Sequence, residues 1–369
     1  MQKYKMKEIG NIISGGTPST NNPSYWDGDI PWITPKDLSK NTDRYIYNGE
    51  RNITIEGLNN SSAKIVPYNT VLLSSRAPIG YLALAGTKLC TNQGFKSIIC
   101  NDKTILPEYL YYLLKTKIDD LINISSGSTF LELSKTSFEN YEINIHNKDI
   151  QQHIVNTIGS IDELLENLYE INNKVNALIY KICKKISYDK KESIIKNYVI
   201  EENQRQGDND YTLLSVVSSG GVIEQDAFFV KDTSSKDRKK YKIVYPMHFA
   251  FNPARANIGS IGMWNSKQIG CISPIYSVFK VKEGFEIFFN YYLKMPSVRE
   301  EIIKRSSGSV RQNLSFDEFT SIKIPELSID DINEFNGRIL PLWNILEENR
   351  TIINHLNSLK NELLTKFFK

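Results

Sequence analysis

Two long segments of the chain, one in the middle and one at the end, carry apolar residues at steps of three and four. The first set is Ile150, Ile154, Ile158, Ile161, Leu164, Leu168, Ile171, Val175, Leu178, Ile182 and Ile186. The second set is Ile332, Phe335, Ile339, Leu342, Ile345, Ile352, Leu356, Leu359 and Leu363, with Asn349 in its one gap. A mean spacing near 3.5 residues is typical of coiled coils, in which a polar seam residue can fix the register. The pattern predicts two long helices.

Each predicted helix has an apolar stripe that must be covered. At 1.5 Å per residue, a helix of about 35 residues is roughly 50 Å long. Two such helices in one chain cover their stripes most simply by pairing with each other, and the alternative is that each packs only on its own domain. Pro341 lies inside the second segment, where we expect it to kink the helix or delay its start.

The segments before the two helices predict mixed α and β structure. Short β-rich runs such as VLLSS (71–75), YLALAG (81–86) and FKSIIC (95–100) are separated by Gly, Pro and Asn, which usually end strands. The run LPEYLYYLLKTKIDDLI (106–122) predicts a helix that begins near Pro107. The fold class is therefore α+β.

The chain contains an internal repeat at an offset of 179 to 181 residues. The matching pairs are RAPIG (76–80) with RANIG (255–259), CTNQGFKSI (90–98) with CISPIYSVF (271–279), YLLK (112–115) with YYLK (291–294), and SSGSTFLELS (125–134) with SSGSVRQNLS (306–315). Because the matches occur in the same order at nearly constant spacing, they predict two similar domains. Each domain is followed by one of the long helices.

Composition describes a soluble globular protein that needs more than one core. The 369 residues are 40% hydrophobic and 24% charged, with a net charge of +3. The sequence predicts no transmembrane helix and no signal peptide. The four cysteines form no paired motif, so we expect a cytoplasmic protein. Because the net charge is small, any nucleic-acid surface must arise from cations that the fold gathers on one face.

The sequence offers no convincing enzyme site. The run FNPAR (251–255) has the Asn-Pro of an amino-methyltransferase motif but lacks its second proline and aromatic residue. The run GYLALAGTK (80–88) lacks the glycine spacing of a phosphate-binding loop. The four histidines have no metal-ligand spacing. We therefore expect no catalytic residue, no metal site and no cofactor in this chain.

Polar side chains suited to DNA recognition cluster in corresponding loops of the two repeats. The candidates are Lys36, Ser75, Arg76, Asn92, Gln93, Lys96 and Ser128 in the first repeat, and Arg238, Lys240, Asn252, Arg255, Asn257, Tyr276, Ser309 and Arg311 in the second. Arg and Lys suit phosphates or guanine, and Asn and Gln suit adenine. The alternatives are that Arg76 and Arg255 only order their own turns, and that the SSGS runs are plain turns. For the aromatic run SYWDGDIPWI (24–33), packing is favoured over base stacking.

The sequence closely resembles the specificity subunits of type I restriction-modification systems. SGGTPSTNNPSYWDGDIPWITPKDL (14–38) with VLLSSRAPIGYLALAGTKLCTNQGFKSI (71–98) resembles a target-recognition domain of that family. SSGGVIEQ (218–225), KKYKIVYPMHFAFNPARANIGSIG (239–262) and SSGSVRQNLS look like a second such domain. The resemblance covers essentially the whole chain and implies four parts: recognition domain 1 (1–148), spacer helix 1 (149–188), a connector with recognition domain 2 (189–328), and spacer helix 2 (329–369).

The resemblance implies two mixed α/β recognition domains joined by two long antiparallel helices that form a coiled coil, in a pseudo-two-fold arrangement. Such a chain is a non-catalytic subunit that reads a bipartite, asymmetric site in double-stranded DNA. Two methyltransferase subunits would dock at the helices and bring S-adenosylmethionine, and restriction subunits can join them. Two other classes remain open: a tandem scaffold that binds protein or glycan, and a nuclease or methyltransferase that acts alone.

Overall fold

The structure is a computed structural model that describes residues 1–76, 78–127, 131–218, 221–225, 238–306 and 313–369. The chain forms two compact units: unit 1 is Met1–Glu170 with Arg350–Lys369, and unit 2 is Ile171–Asn349. Three candidate DNA-contacting residues, Ser128, Ser309 and Arg311, lie outside the described residues. Within the described ranges, no helix is long and apolar enough to cross a membrane.

The first part of the chain consists of short strands and helices followed by a long helix. Its strands are β1 (Gln2–Lys5), β2 (Gly10–Ser14), β3 (Trp26–Ile33), β4 (Tyr45–Ile46), β5 (Arg51–Ile53), β6 (Val71–Ser75), β7 (Ile79–Ala85), β8 (Cys90–Thr91), β9 (Phe95–Cys100) and β10 (Glu142–Ile145). Its helices are α1 (Met6–Ile9), α2 (Pro35–Lys40), α3 (Ile55–Asn59), α4 (Pro107–Lys115), α5 (Ile118–Asn123) and α6 (Lys135–Glu139), before the long helix α7 (Lys148–Ser187).

The second part of the chain repeats this plan. Its strands are β11 (Glu192–Ile194), β12 (Val199–Glu202), β13 (Thr212–Val217), β14 (Gly221–Glu224), β15 (Lys242–Val244), β16 (Phe249–Phe251), β17 (Ile261–Met263), β18 (Gly270–Ile272), β19 (Ser277–Val281) and β20 (Lys323–Pro325). Its helices are α8 (Glu286–Tyr292), α9 (Pro296–Arg305) and α10 (Phe316–Thr320), before the long helix α11 (Ile329–Phe368).

The sheets of the two units share a strand order, which confirms two similar mixed α/β domains. The main sheet runs β2-β9-β6-β7-β4 in unit 1 and β12-β19-β16-β17 in unit 2. A second sheet contains the parallel pair β3–β8 in unit 1 and the parallel pair β13–β18 in unit 2. A two-stranded sheet, β1–β10 or β11–β20, pairs the first and last strands of each unit just before its long helix. The sequence repeat is therefore a repeat of topology.

Each unit has its own apolar core, and the long helices contribute to it. In unit 1 the buried strand β6 lies between β7 and β9. The core of unit 1 also includes Tyr109 and Tyr112 of α4, together with Ile154 and Ile158 of α7. In unit 2 the core is aromatic. Its fully buried aromatic residues are Phe249, Phe251, Phe279, Phe288, Phe289, Phe319 and Phe335.

The two long helices are confirmed, and they run antiparallel within each unit. In unit 1, Ile161, Leu165 and Leu168 of α7 pack against Ile353 of α11. In unit 2, the Asn349 side-chain amide donates a hydrogen bond to Oδ1 of Asn172 over 2.7 Å. Asn349 therefore occupies a polar seam position, as the sequence predicts, and it meets a second asparagine.

At several positions of the long helices, the buried residue is the one that follows the predicted seam residue. Seven predicted seam residues are between 40% and 45% exposed: Ile150, Leu164, Ile171, Leu178, Ile345, Ile352 and Leu359. Their neighbours Leu165, Ile179 and Ile353 are buried instead. Adjacent residues lie about 100° apart around a helix. Where both are apolar, the packing decides which one faces the partner helix.

Pro341 does not delay the second helix. Helix α11 begins at Ile329 and continues through Pro341 to Phe368. A proline inside a helix cannot donate the hydrogen bond to the carbonyl four residues earlier, and its ring clashes with that carbonyl. That residue is Gly337. Contacts of Ile332, Phe335 and Ile339 in the core of unit 2 hold this part of the helix.

Candidate nucleic-acid interface

In unit 1 the RAPIG segment connects strands β6 and β7 of the main sheet. The Ser74 hydroxyl donates a hydrogen bond to the Pro78 carbonyl and accepts one from the Tyr81 amide, both over 2.8 Å. Gly80 has φ of +107°, in the region that favours glycine. These contacts fix the turn and place Arg76 directly after the last residue of β6.

In unit 2 the RANIG segment connects the equivalent strands β16 and β17. It forms a 3₁₀ helix over Pro253–Ile258, and the Asn252 side chain caps it by accepting from the Ala254 amide over 3.1 Å. Gly259 ends this turn with φ of +96°. The two arginines thus stand on turns between equivalent strands, although the turn of unit 2 is helical.

The turn of unit 1 gathers four of the candidate residues: Ser75, Arg76, Asn92 and Lys96. The Lys96 ammonium donates a hydrogen bond to the Ser75 hydroxyl over 3.3 Å. The Ser75 amide donates to the Gly94 carbonyl over 2.7 Å, and the Gly94 amide donates to Oδ1 of Asn92 over 2.9 Å. We call Ser75, Arg76, Asn92 and Lys96 the unit 1 cluster.

Lys96 places a positive charge in a largely buried position. Its side chain is 6% exposed. Burial lowers the pKa of Lys96, the nearby cations Arg76 and Lys135 lower it further, and Glu132 acts in the opposite direction. A hydrogen-bond acceptor that approached the Lys96 ammonium would offset the cost of its burial, because a hydrogen bond to the charged form favours that form.

Glu132 is a member of this site that we did not predict from the sequence. One carboxylate oxygen lies 3.8 Å from Nη1 of Arg76, and the other lies 3.9 Å from Nζ of Lys96. The repeat carried a signal for it, because Glu132 in SSGSTFLELS corresponds to Asn313 in SSGSVRQNLS. A charged residue at a position where the two repeats differ is a candidate for half-site specificity.

The other candidates of unit 1 lie outside the cluster. The Thr17 hydroxyl donates a hydrogen bond to the side-chain oxygen of the exposed Gln93. Lys36 forms an ion pair with Glu50 over 2.8 Å on the surface, and the hydrogen bond that its ammonium donates to Glu50 raises the pKa of Lys36. In the structure, the Lys36 ammonium therefore pairs with Glu50 and not with a member of the unit 1 cluster.

The candidates of unit 2 fall on three segments. Asn252, the exposed Arg255 and the half-buried Asn257 lie on the RANIG turn. Tyr276 packs against the core cluster of the second sheet. Arg238 and Lys240 precede β15, where their backbone carbonyls accept hydrogen bonds from Gln206 and Arg205 over 2.7 and 2.8 Å.

The aromatic run of unit 1 is a packing element. Trp26 and Trp32 are 5% and 7% exposed, and their rings meet edge to face at 5.1 Å. The Trp32 indole donates to the Gly16 carbonyl over 2.9 Å. Rings buried in this way are not available for stacking on bases, which agrees with the reading favoured from the sequence.

Comparison with known proteins identifies relatives of one kind. Residues 1–177 match the model of the type I restriction modification DNA specificity domain. The chain is 40% identical over 238 residues to the type I restriction enzyme MjaIX specificity subunit of Methanocaldococcus jannaschii. This alignment covers 61% of this chain and 54% of that protein. It is 31% identical over 150 residues to the HindI specificity subunit of Haemophilus influenzae, in an alignment that covers 39% of this chain and 32% of that protein. The chain thus spans about half, or less, of the curated relatives it matches.

A solved structure shares the fold over the whole chain. It is the S subunit of a type I restriction-modification system from M. genitalium, with a TM-score of 0.61 and 15% sequence identity. The alignment covers 100% of this chain and 96% of that chain. At this identity the likeness concerns the fold, and it agrees with two similar mixed α/β units and two long helices.

Proposed function

We propose that this chain is a DNA specificity subunit of a type I restriction-modification system, like the proteins it matches, and that it reads a bipartite, asymmetric site in double-stranded DNA. In this role it has no chemistry of its own. Each unit contacts one half of the site, and the bases between the halves are left uncontacted. We place the chain in the cytoplasm, where its four unpaired cysteines would remain reduced.

The observation that carries this proposal is the arginine-bearing turn between equivalent strands of two units whose surroundings differ. Arg76 lies beside Lys96 and Glu132 in unit 1, whereas Arg255 lies on a 3₁₀ turn with Asn252 and Asn257 in unit 2. A shared backbone frame with different polar neighbours suits two different half-sites. Arginine donates to guanine and asparagine pairs with adenine in the major groove. An asymmetric site follows from the difference between the two surfaces.

Exposed apolar residues on the long helices support the docking of partner subunits. They recur every seven residues on each helix, at Leu164, Ile171 and Leu178 of α7 and at Ile345, Ile352 and Leu359 of α11. We call these six residues the outer stripe. Apolar residues repeated on an exposed face are typical of a protein interface. We assign the outer stripe to two methyltransferase subunits, which bring S-adenosylmethionine and the adenine-modifying site and which restriction subunits can join.

A binding-site selection from random duplex DNA, with the full chain and its methyltransferase subunits, tests the proposal. We expect two short motifs of different sequence at a fixed separation. Affinity should fall steeply with salt, because each neutralised phosphate contributes a slope of about −0.9 to the logarithmic plot. A perfect palindrome would contradict the asymmetry. Salt-insensitive binding of a protein or glycan would favour the scaffold reading, and cleavage or methyl transfer by the chain alone would favour an enzyme.

A further inference from the structure

A carboxylate in a DNA-contacting cluster needs a physical explanation. The phosphate backbone of DNA repels it, and the neighbouring Arg76 and Lys96 lose part of their attraction for phosphate in its presence. Yet Glu132 lies 3.8 Å from the Arg76 guanidinium and 3.9 Å from the Lys96 ammonium, beside the residues most suited to contact DNA. A cluster built only to grip phosphate would not contain it.

The backbone holds Glu132 in place from two sides. Its amide donates to the Ser126 carbonyl over 2.9 Å, and the Ser126 amide donates back over 3.2 Å. The next residue, Leu133, is fully buried, and its amide donates to the Ser75 carbonyl over 2.9 Å. The backbone of Glu132 is therefore held next to Ser75 and Arg76.

The Glu132 side chain remains accessible to a ligand. It is 45% exposed, and its neighbour Arg76 is 37% exposed. The separations from both cations exceed hydrogen-bond length, so neither cation takes up a lone pair of the carboxylate. The site thus presents a donor group, the guanidinium, and an acceptor group, the carboxylate, side by side.

Such a pair suits base edges better than phosphates. A phosphate offers only acceptors, whereas the major groove offers acceptors on guanine and amino donors on cytosine and adenine. Arginine pairs with guanine, and a carboxylate accepts from the amino group of cytosine. Glu132 would be repelled by a phosphate and satisfied by an amino-bearing base.

Unit 2 has a different side chain at the matching place. The Leu314 amide donates to the Pro253 carbonyl over 3.0 Å, much as the Leu133 amide donates to the Ser75 carbonyl in unit 1. The residue before Leu314 is the exposed Asn313, which corresponds to Glu132. One backbone frame therefore presents a carboxylate in one unit and an amide in the other, as expected at a position that sets half-site specificity.

We propose that Glu132 is a specificity-determining residue of unit 1: its carboxylate accepts a hydrogen bond from the exocyclic amino group of a cytosine or adenine next to the base that Arg76 contacts, and its charge keeps phosphate out of the cluster. This inference rests on the proposed function, since it requires that unit 1 contact a DNA half-site.

The test is a binding-site selection with the complex of the full chain and its methyltransferase subunits, comparing the wild type with Glu132→Gln. The wild type should prefer an amino-bearing base at one position by about fivefold or more. Glutamine can donate as well as accept, so Glu132→Gln should tolerate guanine or thymine at that position. Binding to non-specific duplex should become tighter, because a negative charge is removed. The other half-site should keep its preference, and the selected base identifies cytosine or adenine.

Glu142→Gln is the matched control. Glu142, on strand β10, is also 45% exposed and pairs with one lysine, Lys3 of strand β1. It should leave both half-sites unchanged. As a second variant, Glu132→Asn carries the unit 2 residue into unit 1 and should shift the same position toward adenine.

Each other result counts against the inference. A uniform gain in affinity without a change at any base pair would make Glu132 a purely electrostatic residue. Loss of preference at both half-sites would make it structural, and an effect equal to that of Glu142→Gln would make it irrelevant. If the wild type itself selects no bipartite motif, the proposed function fails; if it does and Glu132→Gln leaves the motif unchanged, this inference alone fails.

Discussion

Two glycines explain at the residue scale why the chain repeats RAPIG as RANIG. Gly80 and Gly259 both have positive φ. A Cβ atom on Gly80 would lie 2.6 Å from Cγ2 of Ile118, and one on Gly259 would lie 2.6 Å from the Ser218 carbonyl oxygen. The frame therefore requires the glycines for backbone reasons. It makes no such demand on Arg76 and Arg255, so their side chains can be replaced without changing the turns.

Arg76→Ala and Arg255→Ala should have reciprocal effects on the two half-sites. Under the proposed function each removes one arginine contact to a base, and a bidentate contact contributes about 1–3 kcal/mol of discrimination. Arg76→Ala should relax one half-site and Arg255→Ala the other, as measured by binding-site selection. The control is Arg305→Ala, because the Arg305 side chain bonds to Glu301 and Ser321. Unchanged preferences in Arg76→Ala would mean that Arg76 only orders its own turn.

At the element scale, an ion-pair network joins the edge of the main sheet of unit 1 to helix α7. Arg44, which precedes β4, donates two hydrogen bonds to the Glu166 carboxylate over 3.0 and 3.2 Å. The buried Asp162 accepts from the Tyr112 hydroxyl over 2.7 Å and pairs with Lys360 of α11. Burial raises the pKa of Tyr112, and the adjacent Asp162 raises it further. The network fixes how the helices pack on unit 1.

Arg44→Ala should destabilise unit 1. It leaves Glu166 without its bidentate partner, and breaking a fully buried pair costs about 3–5 kcal/mol. Because the Glu166 side chain is 30% exposed, we expect about 2 kcal/mol, measured as a lower free energy of unfolding in urea. Glu163→Ala is the control, since Glu163 is 70% exposed and 3.8 Å from Arg44. Equal losses in the two variants would show that the bidentate pair has no special role.

The start of helix α11 should contribute a pH-dependent stability. The Asp331 carboxylate accepts from Lys190 over 2.7 Å and from the Ser328 amide over 2.9 Å, and these bonds lower the pKa of Asp331 to about 2. Because this is below the unfolded value of about 3.9, the stabilisation is present above about pH 4 and is lost as the pH falls toward about 2.

Asp331→Asn should remove that dependence. The variant should be less stable than the wild type at pH 6 by roughly 1 kcal/mol, which is typical of a lost helix-capping contact. The two proteins should converge in unfolding free energy near pH 2, measured by urea titration at each pH. A constant difference between pH 6 and pH 2 would contradict the assignment.

At the scale of the whole molecule, the long helices serve both units and carry the outer stripe. Each helix has 40 residues and contributes to the core of unit 1 and to that of unit 2. The inner face of each helix packs against the other long helix and against the apolar cores of the units. The outer stripe keeps six large apolar residues at the surface, which is costly in water unless a partner covers them.

Leu359→Glu should weaken assembly with the methyltransferase subunits. Loss of a buried leucine contact costs about 1.5–3 kcal/mol, which corresponds to about 10- to 150-fold in affinity. Sedimentation of the mixed subunits would measure the change. Ser358→Glu adds the same charge at the neighbouring exposed position and should leave assembly intact. Equal assembly of the two variants would exclude Leu359 from the docking surface.

The sequence by itself determined the features that depend on spacing along the chain. The repeat, the two long helices and the polar seam residue Asn349 all follow from periods along the chain. The shared glycines of the two turns belong to the same group. The family resemblance rests on such local runs.

Only the tertiary structure decided which of two adjacent apolar residues faces inward, and which distant side chains meet. Leu165 is buried and Leu164 exposed because the helix has one partner direction, and a 100° step separates the two residues. Glu132 meets Arg76 because a backbone bridge aligns two segments that are far apart in the chain. Such pairings depend on strand register and loop path, which no local period of the sequence encodes.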